Sequence, residues 1–273
     1  KIQTLLREFQ QDALDIVRIH QRVALQAPTA SGKTLIGAAI AEMYYAPTLW
    51  LIHRTDLLQQ TADVLRAECS LPVYVWGGGK KQSVSMLPLT TPLILIGMVQ
   101  SLKQITTGWD RWQVLILDEC QHASATTWLT LACRCDRALI RVGMSGTVRT
   151  GDPVRDMQLE GATGPSVEIT TYGELEQLGF IARPTIYLVR PAAHTYPSYE
   201  HIRAAVLPDW SHNPRRLASM GAKLFAYAYE MGIVYNAHRT QRLIDIALRA
   251  AHTGQKVLIL CTRLDHGTQI RTR

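Results

Sequence analysis

The sequence lacks any apolar run approaching the ~20 residues that a membrane-spanning helix needs, and no signal peptide opens it. Its cysteines number only five, an odd count with no regular spacing. That argues against a disulfide framework and fits a reducing, cytoplasmic compartment. Cys133-Arg-Cys135 has the spacing of half a metal site, but no second pair supplies the other ligands. The nine histidines are likewise scattered without metal-ligand spacing. Charge is sparse, at 19% of residues, too little for a disordered chain. No internal repeat or low-complexity tract is present. The first residue is Lys1 rather than Met, so a fragment or a processed product is expected.

Hydrophobic residues make up 47% of the 273, enough for a sizeable core and for one large or two smaller domains. Lys and Arg total 29 against 22 acids, a net charge of +7. A moderate basic excess favours a polyanionic partner without requiring one.

Aliphatic runs recur at short intervals: Val23–Ala27, Thr48–His53, Val73–Trp76, Leu93–Met98, Val114–Asp118 and Leu139–Ser145. Helical patterns lie between several of them, at Thr34–Tyr45 and Thr55–Glu68. Continuous apolar strands alternating with helices predict an α/β fold, a parallel sheet with helices on both faces. Ligands of such sheets bind beyond the carboxyl ends of the strands. The stretch 151–165 reads as a loop because of its glycines and prolines. A strand (Val167–Thr170), a helix (Tyr172–Leu178) and a strand (Thr185–Val189) are expected next, then an irregular stretch over 191–214. Helices at Arg215–Gly232 and His238–Thr253 precede one more apolar run, Lys256–Thr262, expected as a buried strand. A lone strand closes no sheet, so the last ninety or so residues read as the beginning of a second α/β domain, cut short.

Two stretches carry chemistry. In "VALQAPTASGKTLIGAAI" (Val23–Ile40) a strand, a loop of small residues and an aliphatic helix follow one another. The backbone N–H groups of Thr29, Ala30, Ser31, Gly32, Lys33 and Thr34 can turn inward around a phosphate, and the helix adds its positive end. Lys33 would reach the β- and γ-phosphates of ATP, and Thr34 would offer its hydroxyl to Mg²⁺. Ala27 stands where the G-x-x-x-x-G-K-[ST] pattern has its first Gly. The alternative is a chance Gly-Lys-Thr turn, against which the flanking strand and helix argue. In "VLILDECQHAS" (114–124) an apolar strand ends in Asp118 and Glu119. The first would sit at the Mg²⁺ and the second beside the attacking water. The alternative is a structural salt bridge at a sheet edge. Two unpaired acids at a buried tip are costly, and a bound cation offsets that cost.

With these stretches in hand, the chain resembles the DEAD/H-box group of superfamily 2 helicases and translocases. Within it the similarity is greatest to XPB-like helicases, restriction-enzyme motor subunits and phage recombination helicases. "LREFQQDAL" resembles the adenine-reading segment, with Arg7 and Gln10 as candidates. "LWLIHRTDLLQQ" and "GMVQSL" resemble strand-gripping motifs, and "GMSGTVRT" resembles the Ser-Ala-Thr coupling motif with Gly146 in the Ala position. "NAHRTQRLIDIA" and "KVLILCTRLDHG" resemble the opening of a second RecA-like domain. The resemblance implies RecA-like domains divided at 1–182 and 183–273. It implies an ATP-dependent helicase or translocase acting on nucleic acid, DNA being favoured over RNA. ATP and Mg²⁺ would be the cofactors. Nucleic-acid contacts would come from Arg54, Gln100, Ser101, Thr262 and Arg263, and coupling from Ser145 and Thr147. Gln121 stands where His or Asp is common, with His122 next; either can link the site to the second domain. An ATP-gated clamp and a motor subunit of a larger restriction or repair assembly are the rival expectations. The family's late motifs, its arginine finger among them, would follow Arg273, so slow turnover is expected of this chain alone.

Overall fold

Six of the apolar runs become strands because each is covered on both faces. In the computed structural model, which describes residues 2–78, 80–81, 91–183, 198–206 and 223–272, the chain divides into two compact units, Lys1–Pro184 and Thr185–Arg273. The first unit holds strands β1 (Arg22–Gln26), β2 (Thr48–Ile52), β3 (Val73–Gly77), β4 (Lys80–Lys81), β5 (Ile94–Met98), β6 (Val114–Asp118), β7 (Ile140–Ser145) and β8 (Ser166–Glu168). They form one sheet in the order β4-β3-β5-β2-β6-β7-β1-β8. Every pairing is parallel except the short antiparallel one between β3 and β4.

Successive side chains of a strand point to opposite faces, and the core divides accordingly. Val114 and Ile116 join Trp50, Ile52 and Val142 in one layer, with helices α1 (Glu8–His20), α2 (Lys33–Tyr44) and α3 (Thr55–Glu68). Leu115 and Leu117 join Leu49, Leu51 and Leu95 in the other, with α4 (Val99–Leu102), α5 (Thr126–Arg134) and α6 (Pro153–Thr163). Each such Leu or Ile stabilises the fold by about 1.5–3 kcal/mol. Helix α2 rests directly on the indole of Trp50: a Cβ on Gly37 would lie 2.3 Å from the ring. That close approach requires glycine.

Buried polar groups fasten the helices. Arg141, on β7, donates to the carbonyls of Ala132, Cys135 and Ala138 at 3.0, 2.7 and 3.1 Å. These carbonyls lie at the C-terminal end of α5 and its exit, and a cation suits that negative end. Glu42 of α2 accepts from the Ser70 and Leu71 amides at 2.5 and 3.1 Å, tying α2 to the chain beyond α3.

Three expectations are corrected. Residues 153–163 form α6, not loop, because the Pro and Gly signals sit where helices use them. Asp152 caps the helix by accepting from Val154 and Arg155, Pro153 occupies its first turn, and Gly164 with φ 114° ends it. Within the stretch expected to be irregular, Tyr199–Val206 is helical; 191–197 and 207–214 lie outside the described residues, as does the expected strand at 185–189. Lys256–Thr262 forms no strand, and Leu258 and Leu260 are exposed. No other strand among the described residues of the second unit is there to pair with it.

The described part of that unit is otherwise helical. Residues 223–234 end in a wide π turn at Glu230–Val234, and Ala237–His252 and Leu264–Thr272 follow. Asn236 caps the second of these by accepting from Arg239 at 2.9 Å.

Candidate nucleotide site and strand-contact edge

The candidate phosphate loop springs from the end of β1. Its first residue, Ala27, donates its N–H to the Ser145 carbonyl at the end of β7, 2.9 Å away. Ala30 and Gly32 both adopt left-handed backbone, with φ 69° and 80°. Such reversals turn successive N–H groups toward one point and make an anion nest. Ala30 bears a Cβ, so its conformation is strained and needs support. Gln10 supplies it: its Nε2 donates to the Ser31 carbonyl at 2.8 Å, and its Oε1 accepts from the Arg7 N–H at 3.0 Å. Gly32 packs so tightly on that amide that a Cβ would come within 2.6 Å of it. Lys33 arches back and donates to the Ala27 and Pro28 carbonyls at 3.0 and 3.1 Å. Helix α2 begins with no acidic residue in its first turn and no side-chain cap, leaving its positive end for an anion. Thr34 lies in that turn, half-buried.

The acid pair stands two strands away, since β7 lies between β6 and β1; that separation is roughly 10 Å at the usual strand spacing. Burial raises the Asp118 carboxyl to about 6; the neighbouring Glu119 charge adds to this, while the Glu119 amide, the Lys33 charge and the Trp50 indole oppose it. Desolvation thus disfavours the charged form of this carboxyl. Glu119 takes left-handed backbone, φ 52° and ψ 54°, at the head of a tight turn over Cys120–Ser124. Its Oε2 accepts from Gln121 Nε2 at 2.9 Å. Gln121 Oε1 is buried with no hydrogen-bond partner among the described residues.

Ser145 Oγ accepts from the Thr147 N–H and donates to the Thr147 carbonyl, both at 3.0 Å. The two hydroxyl residues thus form one closed turn beside the phosphate loop. A Cβ on Gly146 would meet only the Ala27 carbonyl at 3.7 Å, so alanine fits there too.

The remaining predicted residues of the first unit lie farther along the same edge. Arg54 follows β2 and grips Asp56 through two hydrogen bonds of 3.0 and 2.6 Å, both side chains well exposed. Gln100 is exposed and Ser101 half-buried in α4, directly after β5. Because the order runs β5-β2-β6-β7-β1, strand-contact candidates occupy one half of the edge and nucleotide candidates the other. Thr262 and Arg263 belong to the second unit and are exposed; the Thr262 hydroxyl meets that of Tyr229.

Three residues escaped the sequence reading. Phe180 lies beneath the Arg7 guanidinium, 3.5 Å from its ring centroid. Gln26 accepts from the Val148 N–H at 3.2 Å and donates to Glu168 at 3.0 Å, bracing the Ser145–Thr147 turn. His53 meets His122 with ring centroids 4.4 Å apart and planes tilted by 50°. Only His53 had a sequence signal, its place beside Arg54. No three His, Cys, Asp or Glu converge as a metal cage among the described residues.

A family model described as "Type III restriction enzyme, res subunit" matches residues 3–150, just over half of the chain. The ATP-dependent DNA helicase uvsW of Enterobacteria phage T4 is 25% identical over 178 residues, 63% of this chain. The chain spans 35% of that relative's length. A crystal structure of the UvsW helicase from bacteriophage T4 aligns with 59% of this chain and 59% of its own, at 21% identity and a TM-score of 0.52. The Pyrococcus furiosus Hef helicase domain aligns with 98% of this chain and 66% of its own, at 16% identity and a TM-score of 0.57. At these identities the structural likenesses establish the fold, that of RecA-like helicase domains.

Proposed function

Since the chain belongs to the type III restriction enzyme res-subunit family, we propose that it is an ATP-dependent DNA motor, a helicase or translocase that couples Mg-ATP hydrolysis to strand movement. The observation carrying this reading is the joining of three elements at one sheet edge: a left-handed loop at the end of β1, a half-buried Asp-Glu pair, and the Ser145–Thr147 turn bonded to the loop through Ala27. DNA is favoured because the curated relative is a DNA helicase. The reading assigns 1–182 to the ATP-binding domain and 183–273 to a linker and the opening of a second RecA-like domain. It places the protein in the cytoplasm; no helix among the described residues is long and apolar enough to cross a membrane.

In this reading Lys33 leaves the Ala27 and Pro28 carbonyls and pairs with the β- and γ-phosphates. The amides of residues 29–34 receive the triphosphate, and Arg7 and Gln10 flank the base. Mg²⁺ would be held by Thr34 and Asp118 and would neutralise charge on the phosphates. Glu119, fixed by Gln121, takes the proton of the attacking water. The Ser145–Thr147 turn, bonded to the loop, passes the change at the phosphates toward the strand-contact half of the edge. Arg54, Gln100 and Ser101 hold the DNA backbone there, with Thr262 and Arg263 adding contacts from the second unit. These contacts read phosphate and sugar, not sequence.

The test is DNA-stimulated ATP hydrolysis. Lys33→Ala should abolish ATP binding. Glu119→Gln should keep it while lowering turnover by about 10²–10⁴-fold, the usual worth of a general base. Full activity in either variant would overturn the reading. A second reading, the motor subunit of a restriction or repair assembly, draws on the family's own description. It predicts translocation without strand separation, whereas a clamp would show neither.

A further inference from the structure

The two halves of the sheet edge meet at His53. Strands β2 and β6 are neighbours, with Leu51 paired to Leu117, so the residues just beyond them lie side by side. His53 is the first residue after β2, and Arg54 comes next. His122 lies in the turn that begins at Glu119. The two imidazoles touch, with centroids 4.4 Å apart and planes tilted by 50°. The ring of Trp128, buried at the start of α5, has its centroid 6.5 Å from that of His53. His53 Nδ1 is buried with no hydrogen-bond partner among the described residues, so packing rather than hydrogen bonding holds this nitrogen's end of the ring.

We propose that His53 is a positioning residue that transmits strand binding at Arg54 to the catalytic turn carrying Glu119, through its ring contact with His122. The inference rests on the motor reading and names its relay. Three features of the structure support it. First, the turn is held at one end by Gln121 on Glu119 and touched farther along by His53 on His122, so a shift at His122 moves the segment that sets Glu119. Second, Glu119 occupies strained left-handed backbone, a conformation that persists only while its surroundings enforce it. Third, Arg54 pairs in this structure with Asp56 on exposed ground. A DNA phosphate that draws Arg54 away pulls on the adjacent His53, which is half-buried and touches the exposed ring of His122, so the shift reaches the turn through that contact.

The experiment measures coupling at equilibrium. The dissociation constant of a fluorescent non-hydrolysable ATP analogue with Mg²⁺ is determined with and without a saturating single-stranded oligothymidylate. For the unaltered chain the oligonucleotide should tighten the analogue by about fivefold or more, the lower range of allosteric coupling. His53→Ala should bring that factor below about twofold, leaving affinity for the analogue alone within about twofold. His53→Phe, which keeps the ring and discards the nitrogens, should retain the coupling; this separates a relay from general loss of folding. His122→Ala should act like His53→Ala, and the pair together should do no more than either. If His53→Ala couples as the unaltered chain does, or His53→Phe fails while remaining folded, the relay is wrong and the motor reading stands. Ligands that bind independently in the unaltered chain also overturn the relay alone. If neither the analogue nor the oligonucleotide binds, the motor reading fails and the relay with it.

Discussion

The chain contains Val-Leu-Ile-Leu twice, at 114–117 and at 257–260, and the two copies have opposite fates. The first is the heart of β6. Strands β2 and β7 bond both its edges, helices cover both its faces, and its four residues are at most 1% exposed. The second is no strand, and its Leu258 and Leu260 are 82% and 85% exposed. A strand's hydrogen bonds belong to its neighbours as much as to itself. The same four side chains therefore make a sheet centre in one unit and an irregular segment in the other.

Equal substitutions should break the symmetry of sequence most sharply. Leu115→Ala removes a side chain packed on all sides and should cost about 2–5 kcal/mol of the first unit's stability. Leu258→Ala should change stability by no more than about 0.5 kcal/mol. Urea unfolding followed by circular dichroism measures both. Equal losses would mean that the second copy is buried after all.

The residues that end the two copies sharpen the contrast. Asp118 closes the first copy, buried and raised from 3.8 to about 6. Between those values the folded chain keeps a proton that the unfolded chain has released. Stability without nucleotide or divalent ion therefore falls as pH rises through that window. Above it the buried charge costs about 3 kcal/mol. Asp118→Asn should flatten this pH dependence and raise stability at neutral pH by up to about that amount, while ATP hydrolysis is lost. An unchanged pH profile would show that the carboxyl is not desolvated. A buried group that lowers stability yet sits at the site is what a functional acid looks like.

The same contrast marks what could be read in advance. Strands β1, β2, β5, β6 and β7 were legible because a strand buried on both faces leaves an unbroken apolar run. The loop at 27–34 and the acid pair stood out as candidates because their residue types serve few other purposes in that context. Helix α6 was misread because Pro153 and Gly164 mark helix ends as readily as loops, and only Asp152 as a cap decides between them. The run at Lys256–Thr262 was misread because an apolar pattern says nothing about which partners are there to pair. Gln10 was found as a candidate, but its grip on Ser31 was not. Nor was the meeting of His53 with His122, since contacts between residues that far apart in sequence come only from the order of strands in the sheet.

The smallest effect lies in the thiols beside the two copies. Cys261 follows the second copy directly and is exposed; Cys120, two residues past Asp118, is buried. Burial, with Glu119 and Asp118 adding to it, pushes the Cys120 thiol up to about 12, and burial does the same at Cys135. Thiolate is the reacting species, so a group that is both covered and protonated is doubly protected. Cys133 is the other exposed thiol. In a Cys133→Ser background at mildly alkaline pH, a thiol-specific disulfide reagent should therefore label Cys261 rapidly while Cys120 and Cys135 wait for denaturant. Fast labelling of Cys120 would mean that the turn after Glu119 opens readily, and the proposed relay from His53 through His122 to Glu119 would lose its mechanical basis. Slow labelling of Cys261 would mean that the second Val-Leu-Ile-Leu is covered in solution, and the two copies would then differ only in what covers them.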